Sequence, residues 1–226
     1  MISLRRGNMW SVLMSLSILI ILVSLGTWQV KRLTWKTSML SYIQAQMAAP
    51  AVPMPESIAA PEDWEYHRVT IAGQFLYSHE FKITPRTQDG RVGFHLVTLF
   101  QRASGGYVFI NRGWAADDVA DKIKRPQGIV RVEGIIQVPK KSYFTPDNVP
   151  AKNEWYWPDI QAMMAASGIP SALPVIMTVS TKEQGVYPMA GQLRLDIPND
   201  HRQYAIFWFG MAGVFLLISL VYHFRK

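Results

Sequence analysis

Two long apolar segments, one near each end of the chain, constrain this sequence more than any other feature. They cover residues 10–28 and 204–224, and neither contains an acidic residue, a lysine or an arginine. Each is close to the ~20 residues that a helix needs to cross the hydrocarbon core of a bilayer. Because two crossings return the chain to its starting side, the sequence predicts two transmembrane helices that flank one extramembrane domain, residues 29–203.

The charges beside these segments predict the orientation. Residues 1–9 carry two arginines, and residues 225–226 are both basic. Basic residues in short flanking segments stay on the cytoplasmic side, whereas a long loop crosses largely regardless of its charge. We therefore predict cytoplasmic termini and a central domain on the opposite side of the membrane.

The first apolar segment also indicates the compartment. It is longer than the apolar region of a cleaved signal peptide, and no small-residue cleavage site follows it closely. The few residues before it are too short for a mitochondrial presequence. These features favour a bacterial inner membrane, with the central domain in the periplasm. The absence of cysteine excludes disulfides, covalent c-type haem and thiolate chemistry.

The net charge of +7 could suggest a nucleic acid partner. Much of the positive charge, however, lies beside the two apolar segments, and the rest of the chain is close to neutral. This pattern indicates contact with the head groups of a lipid bilayer and no nucleic acid partner. The basic residues beside the segments are Arg5, Arg6, Lys31, Arg32, Lys36, Arg202, Arg225 and Lys226.

The central domain reads as a β-rich fold. Short segments rich in β-branched and aromatic residues alternate with turn residues from position 66 to 138. We predict a mainly antiparallel, barrel-like α+β domain with one helix over residues 160–167, capped by Asp159 and ended by Gly168. Residues 48–55, which contain three prolines, are predicted to be an extended linker.

No enzyme signature is present, so the sequence predicts a protein that is not an enzyme. It lacks the G-x-S-x-G, P-loop, G-x-G-x-x-G and H-E-x-x-H patterns. Asp117, Asp118 and Asp121 could form a cation site, but the lysines beside them favour a solvated turn or short helix. Three histidines in strand-like segments are predicted to be structural: His67, His79 and His95.

The start of the second apolar segment carries the main candidate site. Helical spacing places His201, Tyr204, Ala205 and Trp208 on one face. A histidine at the membrane surface, above aromatic rings, suits a flat apolar ligand with a polar edge. The alternative is an interfacial aromatic belt in which the histidine points into water.

Three motifs carry a family resemblance: G-T-W-Q-x-x-R-L at residues 26–33, N-R-G-W at 111–114 and N-D-H-x-Q-Y-A-x-x-W-F at 199–209. Together, and in this order, they resemble the surfeit locus protein 1 family of assembly factors for haem-copper oxidases of the cytochrome c oxidase type. The resemblance implies a non-enzymatic protein that aids the insertion of haem a into oxidase subunit I. Its implied partners are subunit I and the haem a synthesis machinery.

The resemblance also implies a haem site, with His201 as the ligand of the iron. Tyr204 and Trp208, with Trp28 as a further candidate, would line an apolar slot, and Arg112, Arg202 or Arg32 would meet the haem propionates. Arg112 could equally be a turn residue held by its neighbours. The alternative function is a membrane scaffold that stabilises an oxidase assembly intermediate without binding haem.

Two structural expectations accompany this site. Asp200 is expected to fix the second ring nitrogen of the histidine. The two transmembrane helices are expected to pack through small residues, which allow close approach in lipid. The residues expected at that contact are Ser17, Ser24, Gly210 and Gly213.

The orientation can be tested with enzyme fusions. Alkaline phosphatase, which is active only outside the cytoplasm, should be active when fused after Gly90 and inactive when fused after Lys226, because the charge pattern places these residues on opposite sides. The measurement is phosphatase activity in intact cells, normalised to the amount of fusion protein. Activity in the second fusion alone would overturn the orientation.

Overall fold

The computed structural model describes residues 9–181, 185–191 and 199–224. In this part of the chain the α-helices are α1 (Met9–Ala48), α2 (Ile160–Ser167) and α3 (His201–Phe224). The described residues divide into a helical unit, 9–42 and 199–224, and a barrel unit, 43–181 and 185–191.

The helical unit consists of two antiparallel helices. Both α1 and α3 are long and apolar enough to cross a membrane. Ser15 Oγ, near the start of α1, lies 3.4 Å from Nε2 of His223 near the end of α3. At the opposite end, Asn199 contacts Thr37, with 3.4 Å between Nδ2 and Oγ1. The two apolar segments are thus helical, as the sequence predicts, and α1 continues without a break beyond residue 28.

The small residues at the helix contact are not the ones expected. Ala205 and Ala212 are the residues of α3 that are buried, and a Cβ on Gly26 of α1 would lie 2.8 Å from the ring of Phe209. By contrast, Gly210 and Gly213 border open space. Ser17 and Ser24 are exposed as well. The two helices therefore pack together as predicted, but the residues predicted at the contact were wrong, because periodicity alone does not fix which face of a uniformly apolar helix meets its partner.

The barrel unit is built on one sheet of mixed direction. Among the described residues its strands are β1 (Val52–Pro53), β2 (Arg68–Gln88), β3 (Arg91–Arg102), β4 (Tyr107–Ala116), β5 (Val130–Gln137) and β6 (Ile176–Val179). The strand order is β1-β2-β3-β4-β6-β5, and β2 also pairs with β5, which closes the sheet. Most pairs are antiparallel, while β1 with β2 and β4 with β6 are parallel. The predicted barrel-like α+β fold is confirmed.

Closure depends on the length of β2. Its first residues pair with β5 and its later residues with β3. The register with β3 shifts between Leu76 and Glu80 and again between Ile83 and Arg86. Such bulges bend a strand and increase its twist. Both bends lie in the part of β2 that pairs with β3, after the residues that pair with β5.

Part of the proline-rich segment joins the sheet. Val52 and Pro53 pair with Val69 and Thr70, and Met54 N donates to the Thr70 carbonyl at 2.9 Å. Proline is tolerated at a sheet edge because its missing N–H faces away from the ladder. The predicted linker is thus in part an edge strand.

Apolar side chains fill both faces of the curled sheet. Successive strand residues point to opposite faces, so Phe100 and Ile110 join one cluster while Leu99 and Phe109 join another. The second cluster is covered by α2 and by Trp155, which is fully buried.

The cap of α2 is confirmed. Asp159 Oδ1 accepts from Ala162 N at 3.1 Å, and Gly168 follows the helix with φ of 66°. Both features stabilise the ends of a helix that the sequence places correctly.

The contact at Gly26 generates a packing prediction. Gly26→Leu should destabilise the helix pair by about 1–3 kcal/mol, because the new side chain overpacks Phe209. Helix pairing can be measured by cross-linking a Ser15→Cys, His223→Cys variant with a short bifunctional thiol reagent. Because the chain has no native cysteine, only this pair reacts.

Gly210→Leu is the matched control, because its Cβ meets open space on α3. Cross-linking should fall in the Gly26 variant and persist in the Gly210 variant. The reverse order would show that the helices approach through the other face.

Candidate functional site

The candidate histidine is the first residue of α3, and its side chain is half-buried. The carbonyl of Asp200 accepts from Gln203 N at 3.0 Å and from Tyr204 N at 3.2 Å, so the helix begins directly after Asp200. His201 Nδ1 lies 2.7 Å from Oε1 of Gln29, a buried residue of α1. The expectation that Asp200 fixes this nitrogen was wrong, since Gln29 does so.

This hydrogen bond sets the tautomer of the imidazole. A carboxamide oxygen can only accept, so His201 Nδ1 must carry the proton that it donates to Gln29. In the neutral ring, Nε2 then retains a free lone pair. An imidazole of this form is ready to ligate a metal through Nε2, with the other nitrogen held by a second group.

Aromatic side chains surround the histidine within the helical unit. The ring of Trp28 meets His201 edge-on, with 6.4 Å between centroids, and Trp28 remains 54% exposed. Trp208 is half-buried about two turns along α3, and Tyr204 is 54% exposed at the edge of the same face. Aromatic surface therefore lies beside the histidine and along the face of α3 that it begins.

Each of the two helices carries an exposed arginine a few residues from the side chains just described. Arg202 directly follows the histidine on α3 and is exposed. Arg32, one turn beyond Trp28 on α1, is exposed and stacks on Trp35, with 4.3 Å from its guanidinium carbon to the ring centroid. Both can make charge-assisted hydrogen bonds to a carboxylate.

The G-T-W-Q motif is explained by these contacts. Gly26 admits Phe209, and Thr27 Oγ1 donates to the Val23 carbonyl at 2.8 Å within α1. Trp28 and Gln29 both meet the histidine. The sequence predicted the motif but did not identify Gln29 as a site residue. Its signal was a glutamine directly after the first apolar segment, where burial of an amide without a hydrogen-bond partner costs free energy.

The predicted propionate partner Arg112 lies in the barrel unit and is buried. Its Nη1 donates to Glu80 Oε1 at 2.8 Å, and its guanidinium stacks on Phe75 and Tyr77 at 5.1 and 5.2 Å from the ring centroids. Burial lowers the pKa of Arg112, while Tyr77 and Glu80 oppose that shift. Glu80 also binds Arg125, at 2.8 Å. Arg112 thus has a carboxylate partner already, and its contact with a propionate stays a prediction.

The residues around Arg112 interrupt the regular geometry of β4. The register with β3 skips Arg112, which is the extra residue of a β-bulge. Gly113 follows with φ of 130°, and a Cβ there would overlap the Met189 carbonyl. Its N–H donates to Asn111 Oδ1 at 3.1 Å, and Trp114 Nε1 donates to the Arg86 carbonyl at 2.9 Å. These contacts give the residues of the N-R-G-W motif a role in the structure of the sheet.

Arg112 also borders a cavity of about 620 Å³ in the barrel unit. Further cations and apolar side chains line it, among them Lys124, Arg125, Arg131, Val132 and Val179. Such a composition suits an anionic amphiphile in general terms.

Elsewhere, Asp118 binds Arg91, and no cluster of three metal-ligating side chains occurs in the described residues. The solvated short helix predicted there is observed as Asp117–Lys122.

The fold and the site define a membrane-associated β-barrel protein with two flanking apolar helices and a histidine at a helix end. The chain belongs to the SURF1 family, whose profile matches residues 16–213. This family is known for cytochrome oxidase assembly factors rather than catalysts. The family resemblance read from the three motifs is therefore confirmed.

Individual relatives agree with this assignment. A SURF1-like protein of Monosiga brevicollis is 31% identical over an alignment that covers 95% of this chain and 87% of the relative. A SURF1-like protein of Caenorhabditis elegans is 31% identical over 98% of this chain and 77% of its own length. Surfeit locus protein 1 of Mus musculus is 31% identical over 84% of this chain and 68% of its own length.

The bulge at Gly113 generates a stability prediction. Gly113→Ala should destabilise the barrel unit by about 1–3 kcal/mol, because alanine disfavours this φ and its Cβ meets backbone. The measurement is thermal unfolding of the detergent-purified protein, followed by near-ultraviolet circular dichroism. Gly128→Ala is the control, since Gly128 has φ of 76° but open space at its Cβ. Equal losses of stability in both variants would show that the positive φ, and not the contact of the new Cβ with backbone, causes the loss.

Proposed function

We propose that this protein is a cytochrome c oxidase assembly factor that aids the placement of haem a into subunit I, with His201 as the iron ligand. The observation that carries the proposal is the hydrogen bond from His201 Nδ1 to Gln29, which leaves Nε2 as a free ligand. Family membership supports the role in oxidase assembly, and this tautomer of His201 supports haem as the cofactor.

The residues around the histidine fit haem a in chemical type. Bound there, haem a would offer an iron for a nitrogen ligand and two carboxylates for cations. His201 supplies the nitrogen, and Trp28 and Trp208 supply flat apolar surface. Arg202 and Arg32 supply exposed guanidinium groups for propionates. Burial of apolar surface contributes most of the affinity, while ligation fixes orientation.

The wider setting of this proposal follows from charge and hydropathy. Both termini lie on the cytoplasmic side, and the barrel unit lies in the periplasm of a bacterial inner membrane. The relatives named above are eukaryotic, so this compartment rests on the sequence pattern alone. In such a setting the partners are oxidase subunit I, the haem a synthesis machinery and the lipid bilayer.

The proposal is tested with protein purified in detergent from cells that make haem a. Wild type should carry haem with a reduced-minus-oxidised spectrum typical of nitrogen ligation. His201→Ala should lose that spectrum, and Gln29→Leu should lower haem retention about tenfold, because a residue that orients a ligand typically supports affinity by 10–100-fold. Neither change should unfold the protein, because neither side chain belongs to the apolar core clusters of the barrel unit.

His223→Ala is the matched control, because His223 lies on the same helix at its opposite end, beside Ser15. Its spectrum should equal that of wild type. Wild type without haem, or a His201→Ala spectrum identical to wild type, would remove His201 as the ligand. The remaining function would then be a membrane scaffold that stabilises an oxidase assembly intermediate without binding haem.

A further inference from the structure

A second cavity of the barrel unit, of about 380 Å³, is unused by the function proposed above. It lies beside β2, β3, β4 and β6 and the segment that follows β5. Its polar lining includes Arg86, His95, Asn111, Lys140 and Thr178. Apolar side chains line the rest of the cavity, among them Ile83, Val97 and Ile176.

The imidazole in this cavity contacts a neighbouring amide through Nδ1. Asn111, whose Oδ1 accepts from Gly113 N at 3.1 Å, lies with Nδ2 3.2 Å and Oδ1 3.4 Å from His95 Nδ1. Nε2 is therefore the ring nitrogen left for a ligand, and it donates in the imidazolium form.

The guanidinium in this cavity lacks a carboxylate partner. Arg86 is half-buried, and it donates to the carbonyls of Pro85 and Tyr156, both at 2.8 Å. Within residues 9–181, 185–191 and 199–224, no acidic side chain pairs with Arg86 or lines the cavity. Burial lowers the pKa of Arg86, because the charge is partly removed from water. A partly buried cation of this kind attracts an anion.

We propose that this cavity binds a small organic molecule that carries one carboxylate or phosphate group. Arg86 and His95 contact the oxyanion, and the apolar walls contact a short apolar body. Lys140, whose side chain is 66% exposed and whose ammonium lies 3.5 Å from Glu65, adds positive charge at the rim. This site is independent of haem binding, since all of its residues lie in the barrel unit.

Binding of an anion couples to the protonation of His95. Burial lowers the pKa of His95, and the nearby charge of Arg86 lowers it further, while the contact with Asn111 opposes these effects. The charged groups that line the cavity are Arg86 from β2 and Lys140 after β5, while Asn111 and Thr178 from β4 and β6 are uncharged. A bound oxyanion stabilises the imidazolium and so raises the pKa of His95. The protein therefore takes up a proton on binding, and affinity rises as pH falls.

The test is calorimetric titration of the full chain in a non-ionic detergent with butyrate and, separately, with inorganic phosphate at constant ionic strength. Saturable binding of either probe supports the site and identifies the preferred oxyanion. Butyrate stays ionised between about pH 6 and about pH 8, so it also serves for the pH measurement. Its affinity should be higher at the lower pH.

Variants decide which residues make the site. His95→Gln and Arg86→Gln should each weaken binding about tenfold, the typical effect of losing one charge-assisted hydrogen bond. His79→Gln is the matched control, because His79 does not line the cavity, and it should bind as wild type does. Near-ultraviolet circular dichroism reports whether each variant folds.

If Arg86→Gln does not fold, Lys140→Gln replaces it, because that side chain is mostly exposed and should weaken binding about twofold to threefold. Absence of saturable binding for both probes overturns the proposal. Wild-type affinity in His95→Gln, or equal affinity for butyrate at both pH values, overturns the contact assigned to His95.

Discussion

The pairing of β2 with both β3 and β5 closes the sheet, and the barrel unit depends on this closure. A closed sheet leaves few unpaired backbone groups and brings both apolar clusters to high burial. Within the sheet, Glu80 of β2 meets Arg112 of β4 across β3, and their ion pair is largely removed from water. Such a pair is retained only when hydrogen bonds satisfy both partners, as Arg125 and Lys124 do here.

Two histidines, one in each unit, contact a neutral amide through Nδ1. The oxygen of Gln29 accepts from His201 Nδ1, so Nε2 keeps a lone pair that can ligate. The amide of Asn111 contacts Nδ1 of His95, so Nε2 is the nitrogen left for a ligand in the cavity. In both cases an uncharged side chain from another helix or strand orients the imidazole.

Much of the fold could be predicted from local sequence. The apolar length of α1 and α3, the cap at Asp159 and the turn residues between strands act over a few residues, so they are visible in the sequence. The extended part of residues 48–55 was predicted as a linker, because nothing local indicates that Val52 and Pro53 meet β2. The helix contact was misassigned for the same reason, since Gly26 is defined by Phe209 and not by its own neighbours.

The sequence by itself determined the membrane-length helices, the β-rich domain and the family, because hydropathy, capping and motif order are properties of a linear chain. It also identified His201 as the candidate ligand. Only the tertiary structure decided that Gln29 fixes its tautomer, that Arg112 is bound by Glu80, and that His95 faces Arg86 across one cavity. Each of these depends on residues far apart in the chain, and their meeting is set by helix pairing and sheet closure.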